Sequence, residues 1–363
     1  MIESKYAQLL VNYCLGVKKG DTVYIVSTTL GEPLVREVYR EVLKAGGIPS
    51  VELQFREQNR ILHSEGSGGQ LQHISPMKRA AFENYNAYLY IRAPYNLTED
   101  ASVDPKKQAI RMKANSPINQ IYSERTANGS MVRSLCQYPT AASAQEAGMS
   151  LEEYQQFVYN ACHLYDEDPE AAWLAVRERQ QVLVDYLNQV KLIRYVNPKS
   201  DISFSVEGRV WMNSDGRTNM PSGEVYTSPI EDSVNGYIHF DYPSIYRGSE
   251  VSGVSLKVAN GLVEEWTAEI GQEVLDEALK IDGARYFGEV AIGTNYNIQR
   301  ATKNILFDEK IGGTIHMAVG QSYIMTGGKN ISSVHWDLIA DMKEGGKIFA
   351  DGRLIYEDGK FLI

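Results

Sequence analysis

The chain has 363 residues, room for two domains of ordinary size or one large one, with a sizeable core in either case. With 43% hydrophobic and 23% charged residues and no long biased tract, its composition excludes the disordered and fibrous classes. A formal net charge of -10 with no Lys/Arg cluster argues against nucleic-acid and anionic-membrane partners, because affinity for phosphates is built from clustered cations.

The opening MIESKYAQLL meets Glu3 and Lys5 before any apolar stretch suited to a secretory leader. No later run approaches the roughly 18 apolar residues of a membrane span. Cys14, Cys136 and Cys162 are odd in number and lack CxxC spacing. That usage suits thiols in a reducing compartment, so a cytoplasmic protein is expected.

DTVYIVS (21–27) reads as a strand, followed by Thr29-x-x-Glu32, a capping-box pattern. Leu34, Val35, Val38, Tyr39, Val42 and Leu43 then recur at helical spacing until Gly46-Gly47 ends the helix. IPSVELQF (48–55) and NAYLYIRAP (86–94) repeat the strand signal with helical patterning after the latter, so a parallel sheet covered by helices is predicted. A second capping box, Ser150 with Glu153, opens a helix with Leu151, Tyr154, Phe157, Val158, Ala161 and Cys162 on its apolar face. Another helical pattern runs from DEDPEAAW to about residue 189.

From KLIRYVNPKSDISFSVEGRVW onward, short alternating runs separated by Gly, Asn, Asp and Pro predict antiparallel or mixed sheet, with one helix at about 266–281. The expected architecture is therefore an N-terminal α/β domain with a parallel sheet (1–190) and a C-terminal mixed α+β domain (191–363). A nucleotide site is not supported. STTLGEP matches neither GxGxxG nor GxxxxGK[ST], and the glycine cluster SEGSGGQ (64–70) has no strand feeding it.

The chemistry concentrates in the second half. In SSVHWDLIAD, strand alternation puts His335 and Asp337 on one face and Trp336 and Leu338 on the other. Glu224 follows the turn-forming Pro221-Ser222-Gly223, Glu289 lies inside the strand-like FGEVAIG, and His316 inside TIHMAVG, with Tyr323 seven residues later. A carboxylate in such a setting is costly unless it is paired, hydrogen-bonded or bound to a metal. A lone strand histidine or glutamate has an ordinary structural explanation, and His239 keeps it.

The set Glu224, Glu289, His316, His335 and Asp337 is different. These are the nitrogen and oxygen ligands that Zn²⁺, Co²⁺ or Mn²⁺ accept, and five exceed the needs of one closed tetrahedral site. Two neighbouring ions with bridging carboxylates would use them all, and such a pair hydrolyses carbonyl substrates. Tyr323 would donate to the oxyanion. Glycine turns at Gly312-Gly313 and Gly327-Gly328 allow close strand approach there. Three readings stay open on these residues: a peptide hydrolase, a binuclear hydrolase of phosphate esters, and a non-catalytic binding protein stabilised by its metal.

The stretches PSGEVYTSP, FGEVAIGTN, HMAVGQSY and HWDL, together with AGMSLEEYQQFV, resemble the M29 family of thermophilic metalloaminopeptidases over nearly the whole chain. The resemblance implies a cytoplasmic, homodimeric exopeptidase that releases N-terminal residues from peptides, with two divalent ions in the C-terminal domain. By motif, Glu224, Glu289, His316, His335 and Asp337 fall on ligand positions and Tyr323 on the active-site tyrosine, with Glu289 also a candidate proton carrier. Which of Glu224 and Glu289 is ligand and which is base stays open. The chain is shorter than the family's usual length, and the difference is placed in N-terminal loops near Gly66–Gln72 and Asp104.

Overall fold

The computed structural model describes residues 1–363, which divide into two compact units. The first comprises Met1–Glu170 with Gly216–Pro221. Its strands β1 (Thr22–Thr28), β2 (Ile48–Gln54), β3 (Ala87–Arg92) and β4 (Val132–Gln137) lie in the order β2-β1-β3-β4, all parallel, and the short β5 (Asn219–Met220) joins β4. Parallel neighbours need a crossover, and the helices α1 (Glu32–Lys44), α2 (Pro76–Asn84) and α3 (Pro105–Ala127) lie in those connections.

The helix α1 buries Leu34, Val35, Val38 and Val42 and leaves Tyr39 and Leu43 exposed. Its apolar stripe is narrower than its sequence predicts. The Thr29–Glu32 capping box does not form. Thr29–Gly31 is a 3-10 turn capped by the Thr28 side chain, which accepts from the Leu30 N–H, and this puts Gly31 at the helix N-cap. The Ser150–Glu153 box does form, at the head of α4 (Leu151–Ala161), where Glu153 accepts from the Ser150 N–H at 2.8 Å and Ser150 from the Glu153 N–H at 3.2 Å. The three cysteines are buried and none forms a disulfide.

The second unit comprises Ala171–Asp215 and Ser222–Ile363. It takes in nearly all of α5 (Pro169–Leu187), a helix ahead of the boundary expected near residue 190. The reason is packing, since Leu183, Val184 and Leu187 join the hydrophobic core of this unit. An eight-stranded antiparallel sheet runs from Leu262–Thr267 at one edge to Lys360–Phe361 at the other. A second, five-stranded sheet holds β6 (Glu224–Thr227), β7 (Phe287–Gly293), β8 (Thr314–Gly320) and β9 (His335–Asp341) in the order β9-β8-β7-β6, with Met212–Ser214 at the far edge. The helix expected at 266–281 is confined to Gln272–Leu279 behind Gly271, because Leu262–Thr267 pairs as a strand.

Both sheets contribute to one core. Val225, Val290, Ile292, Ile315, Met317, Val319, Trp336 and Leu338 fill it from the five-stranded sheet, while Ile193, Phe204, Ile238 and Leu256 fill it from the other. Strand alternation therefore commits the opposite face of β6 to β9 to everything else on those strands.

Candidate metal centre

That opposite face carries all five singled-out residues. In the antiparallel register Glu289 pairs with Ala318 and Ala318 with Asp337, His316 pairs with Ala291, Glu224 with Gly293, and His335 with Gly320. Directly paired residues share a face, so each acid or imidazole has an alanine or a glycine across one ladder, while across the other His316 meets Ile339 and Glu224 meets Ser214. Small residues leave a hollow into which the five longer side chains converge. Gly320 has φ +100°, and a Cβ there would sit 2.1 Å from the Val334 carbonyl oxygen, so no larger residue fits opposite His335.

The converging atoms lie within reach of one another. His316 Nε2 is 3.3 Å from Glu224 Oε2 and 3.6 Å from Glu289 Oε1, while His335 Nε2 is 3.2 Å from Glu289 Oε2 and 3.6 Å from Asp337 Oδ1. Three overlapping triads could each hold an ion: Glu224, Glu289 and His316; Glu289, His335 and Asp337; and Glu309, His316 and Asp337. Glu289 belongs to the first two and turns one oxygen to each imidazole. Glu224, Glu289 and His316 are buried, whereas His335, Asp337 and Glu309 are half-buried, so the cluster opens on the His335 side.

The donor set fits divalent metal on an observation beyond proximity. Glu224 Oε2, His316 Nδ1 and Asp337 Oδ1 are buried without a hydrogen-bond partner, which is costly in a folded core unless another ligand satisfies them. His335 is also correctly prepared: its Nδ1 donates to the Gln321 carbonyl at 2.8 Å, so that Nε2, turned to the carboxylates, would offer its lone pair once a cation replaces its proton.

Electrostatics records the crowding of charge. Burial raises the Glu289 carboxyl, but hydrogen bonds from His316 and His335 outweigh it and hold the group at about 2. Burial disfavours both imidazolium ions, yet Glu289 and its neighbouring carboxylates lift His316 to about 9 and His335 to about 10. Asp337 is pushed up to about 6, first by burial. Protons thus hold the acids and imidazoles together in the places a divalent cation would take.

Several positioning residues are not evident from sequence patterns. Lys310 is wholly buried, 3.6 Å from Glu224 Oε1 and in contact with Glu309. Glu309 follows the short helix Ile305–Asp308, and the charged run Asp308-Glu309-Lys310 reads in sequence as an ordinary solvated turn. Only its place just before the apolar IGGTIHMAV hints at burial. The buried Gln180 of α5 donates to the Glu224 carbonyl at 3.2 Å and accepts from Thr294 Oγ1 at 2.7 Å, which fixes the start of β6. The Tyr323 hydroxyl lies 3.2 Å from His335 Nε2, its ring packs edge-on against Tyr226, and burial drives its pKa upward. His239 lies apart, bonded to Ser255 Oγ at 2.8 Å, as its structural reading requires.

The profile of a family described as thermophilic metalloprotease (M29) matches residues 2–361. Aminopeptidase 2 of Geobacillus stearothermophilus is 29% identical over 349 residues, covering 88% of this chain and 83% of the relative. Aminopeptidase T of Thermus aquaticus is 30% identical across 61% of this chain and 60% of its own length. The solved structure of wild-type AmpT from Thermus thermophilus superimposes with a TM-score of 0.86 at 24% identity, over 100% of this chain and 99% of the other. A 2,5-dihydroxypyridine dioxygenase from Pseudomonas putida shares the fold at a TM-score of 0.57 and 12% identity.

Proposed function

The chain belongs to the M29 family of thermophilic metalloproteases, and on that premise we propose that it is an aminopeptidase working through a binuclear centre held by Glu224, Glu289, His316, His335 and Asp337. The observation that carries the binuclear reading is Glu289, whose two oxygens address different imidazoles at 3.6 and 3.2 Å. Glu309 is a fourth carboxylate within reach, and a sixth candidate ligand. Zn²⁺, Co²⁺ or Mn²⁺ bound there would supply Lewis acidity, acidifying a water and polarising a carbonyl.

The rest falls to the chain's own groups. Tyr323 keeps its proton at neutral pH and stands at the open side of the cluster, where its hydroxyl donates to the oxyanion that develops on the scissile carbonyl. The sequence reading also gives Glu289 the proton that reaches the departing amine. With one oxygen turned to each imidazole, Glu289 is placed as a shared ligand rather than as a free proton carrier. Burial raises the Glu309 carboxyl, which stands within reach of His316 and Asp337, so we assign the proton to Glu309, while Glu289 would help to hold both ions.

Relatives named as aminopeptidases support peptide substrates with a free N-terminus. The dioxygenase with the same fold is a reminder that the fold alone decides nothing about the reaction. Buried cysteines without a disulfide support a reducing, cytoplasmic setting, and the family resemblance supports a homodimer.

The test is hydrolysis of aminoacyl-p-nitroanilides before and after EDTA, with Zn²⁺, Co²⁺ and Mn²⁺ added back. The reading expects activity lost to EDTA, restored by a metal, and absent on N-acetylated substrates. Turnover that survives chelation, or that ignores N-acetylation, overturns it.

A further inference from the structure

The first unit contains a cavity that the metal chemistry does not use. It measures about 310 Å³ and is lined by β3 and β4 of the parallel sheet, by α2 and by α3. The sheet face it borders is unusual. Faces of a parallel sheet beneath a helix are normally aliphatic, and the other side of β3 is, with Leu89 and Ile91 fully buried. On the cavity side the same strands present Tyr88, Tyr90 and Arg133 instead.

The helix above it packs through few residues, Ile118, Ile121 and Tyr122. Of the 23 residues of α3, only Ile118 is buried. Polar bonds near its two ends hold it in place. Lys107 donates to the Ser64 carbonyl, Arg111 to the His73 carbonyl, and Arg125 to the Phe82 carbonyl. Between these anchors the helix spans the cavity.

Two cations lie in the cavity wall without a carboxylate partner. Lys78 is half-buried and forms no ion pair, and Arg133 sits over the ring of Tyr122 at 5.9 Å. Burial lowers the Lys78 pKa, Glu52 opposes that shift and Arg111 adds to it, while Glu52 is itself engaged by the Tyr24 hydroxyl. Arg133 also bonds the Tyr122 side chain, and neither cation is neutralised by a carboxylate, so both can accept an anion. Around them Phe82, Tyr88 and Tyr122 form a ring cluster with centroids 5.1 to 5.9 Å apart, a wall that offers edge and face contacts to one more planar group.

We propose that this cavity binds a small organic anion built on a single aromatic ring, the ring held by Phe82, Tyr88 and Tyr122 and the acid group by Lys78 and Arg133. The volume lies at the lower end of small-molecule sites, which fits one ring with an acidic substituent and excludes a dinucleotide. The acid is a carboxylate or a phosphate, since both accept from ammonium and guanidinium groups.

Calorimetric titration of the full-length, metal-loaded protein with 4-hydroxyphenylacetate, phenyl phosphate, inorganic phosphate and benzyl alcohol tests this. One aryl anion binds one per chain with Kd of about 1 mM or tighter, and its identity names the acid, while benzyl alcohol and inorganic phosphate bind at least about tenfold more weakly. The Lys78→Met/Arg133→Met double variant loses about tenfold or more of that affinity, and Lys78→Arg keeps it. Should the double variant melt early, Lys78→Glu on the outer helix carries the same expectation. Failure of both aryl anions to bind by about 10 mM overturns the proposal. So does undiminished binding to the charge variants, which would place the ligand elsewhere on the protein, or inorganic phosphate binding as tightly as phenyl phosphate.

Discussion

The Lys310 ammonium lies 3.6 Å from the Glu224 carboxylate, and both side chains are buried. Removing one partner of a buried pair leaves an uncompensated charge and costs about 3 to 5 kcal/mol. Lys310→Met should therefore destabilise the metal-free protein by about that amount and the metal-loaded protein by less, because bound cations take over the compensation. Calorimetric melting of both forms should show a wider gap between them in the variant. An unchanged gap would mean that Lys310 does not serve the cluster.

Ala318 stands directly across from both Glu289 and Asp337. If the small residues of this face exist to make room, Ala318→Val fills the hollow, at about 1 to 3 kcal/mol of overpacking. The expected outcome is a folded protein with reduced metal content and little activity. Full metal content with normal turnover would show that the hollow is incidental.

The protonation pattern gives a pH dependence with a definite sign. His316 and His335 have folded pKa values raised to about 9 and about 10, so their stabilisation is complete below their ordinary value near 6.5 and is lost as pH rises through those values. Asp337, raised to about 6, acts in the same direction at lower pH, whereas Glu289, held at about 2, loses its contribution only in strong acid. Metal-free protein should melt progressively lower from about pH 6 to pH 10, and metal-loaded protein should not follow, since bound imidazoles carry no titrating proton. Parallel slopes in the two forms would contradict the assignment.

Tyr323 is expected to act on the transition state alone. Tyr323→Phe should keep the metal content and lower kcat by about 100- to 1,000-fold, as loss of one oxyanion donor does elsewhere. Loss of metal instead would make the tyrosine a structural support for His335, which it approaches at 3.2 Å.

The five singled-out residues were legible because four break apolar strands and Glu224 opens one after a turn; alternation predicts a shared face for His335 and Asp337, and the strand register extends it to all five. The hollow was not, because only the strand register reveals that the alanines and glycines of FGEVAIG and TIHMAVG stand opposite the acids and imidazoles. Glu309 and Lys310 were not, because a charged triplet after a short helix carries no periodicity and its burial is decided by tertiary packing. The same holds for α5. Its helical pattern is plain in the sequence, but which core receives Leu183 and Leu187 depends on contacts with distant strands.

The central claim is that Glu289 joins two ions, and counting metal per chain tests it most directly. Elemental analysis after equilibration with Zn²⁺, Co²⁺ or Mn²⁺ and removal of excess should give two ions per chain for the wild-type protein. Glu289→Ala, retaining its fold, should lose both or bind them far more weakly. One ion per chain in the wild type, or two tightly held ions in Glu289→Ala, would contradict the account.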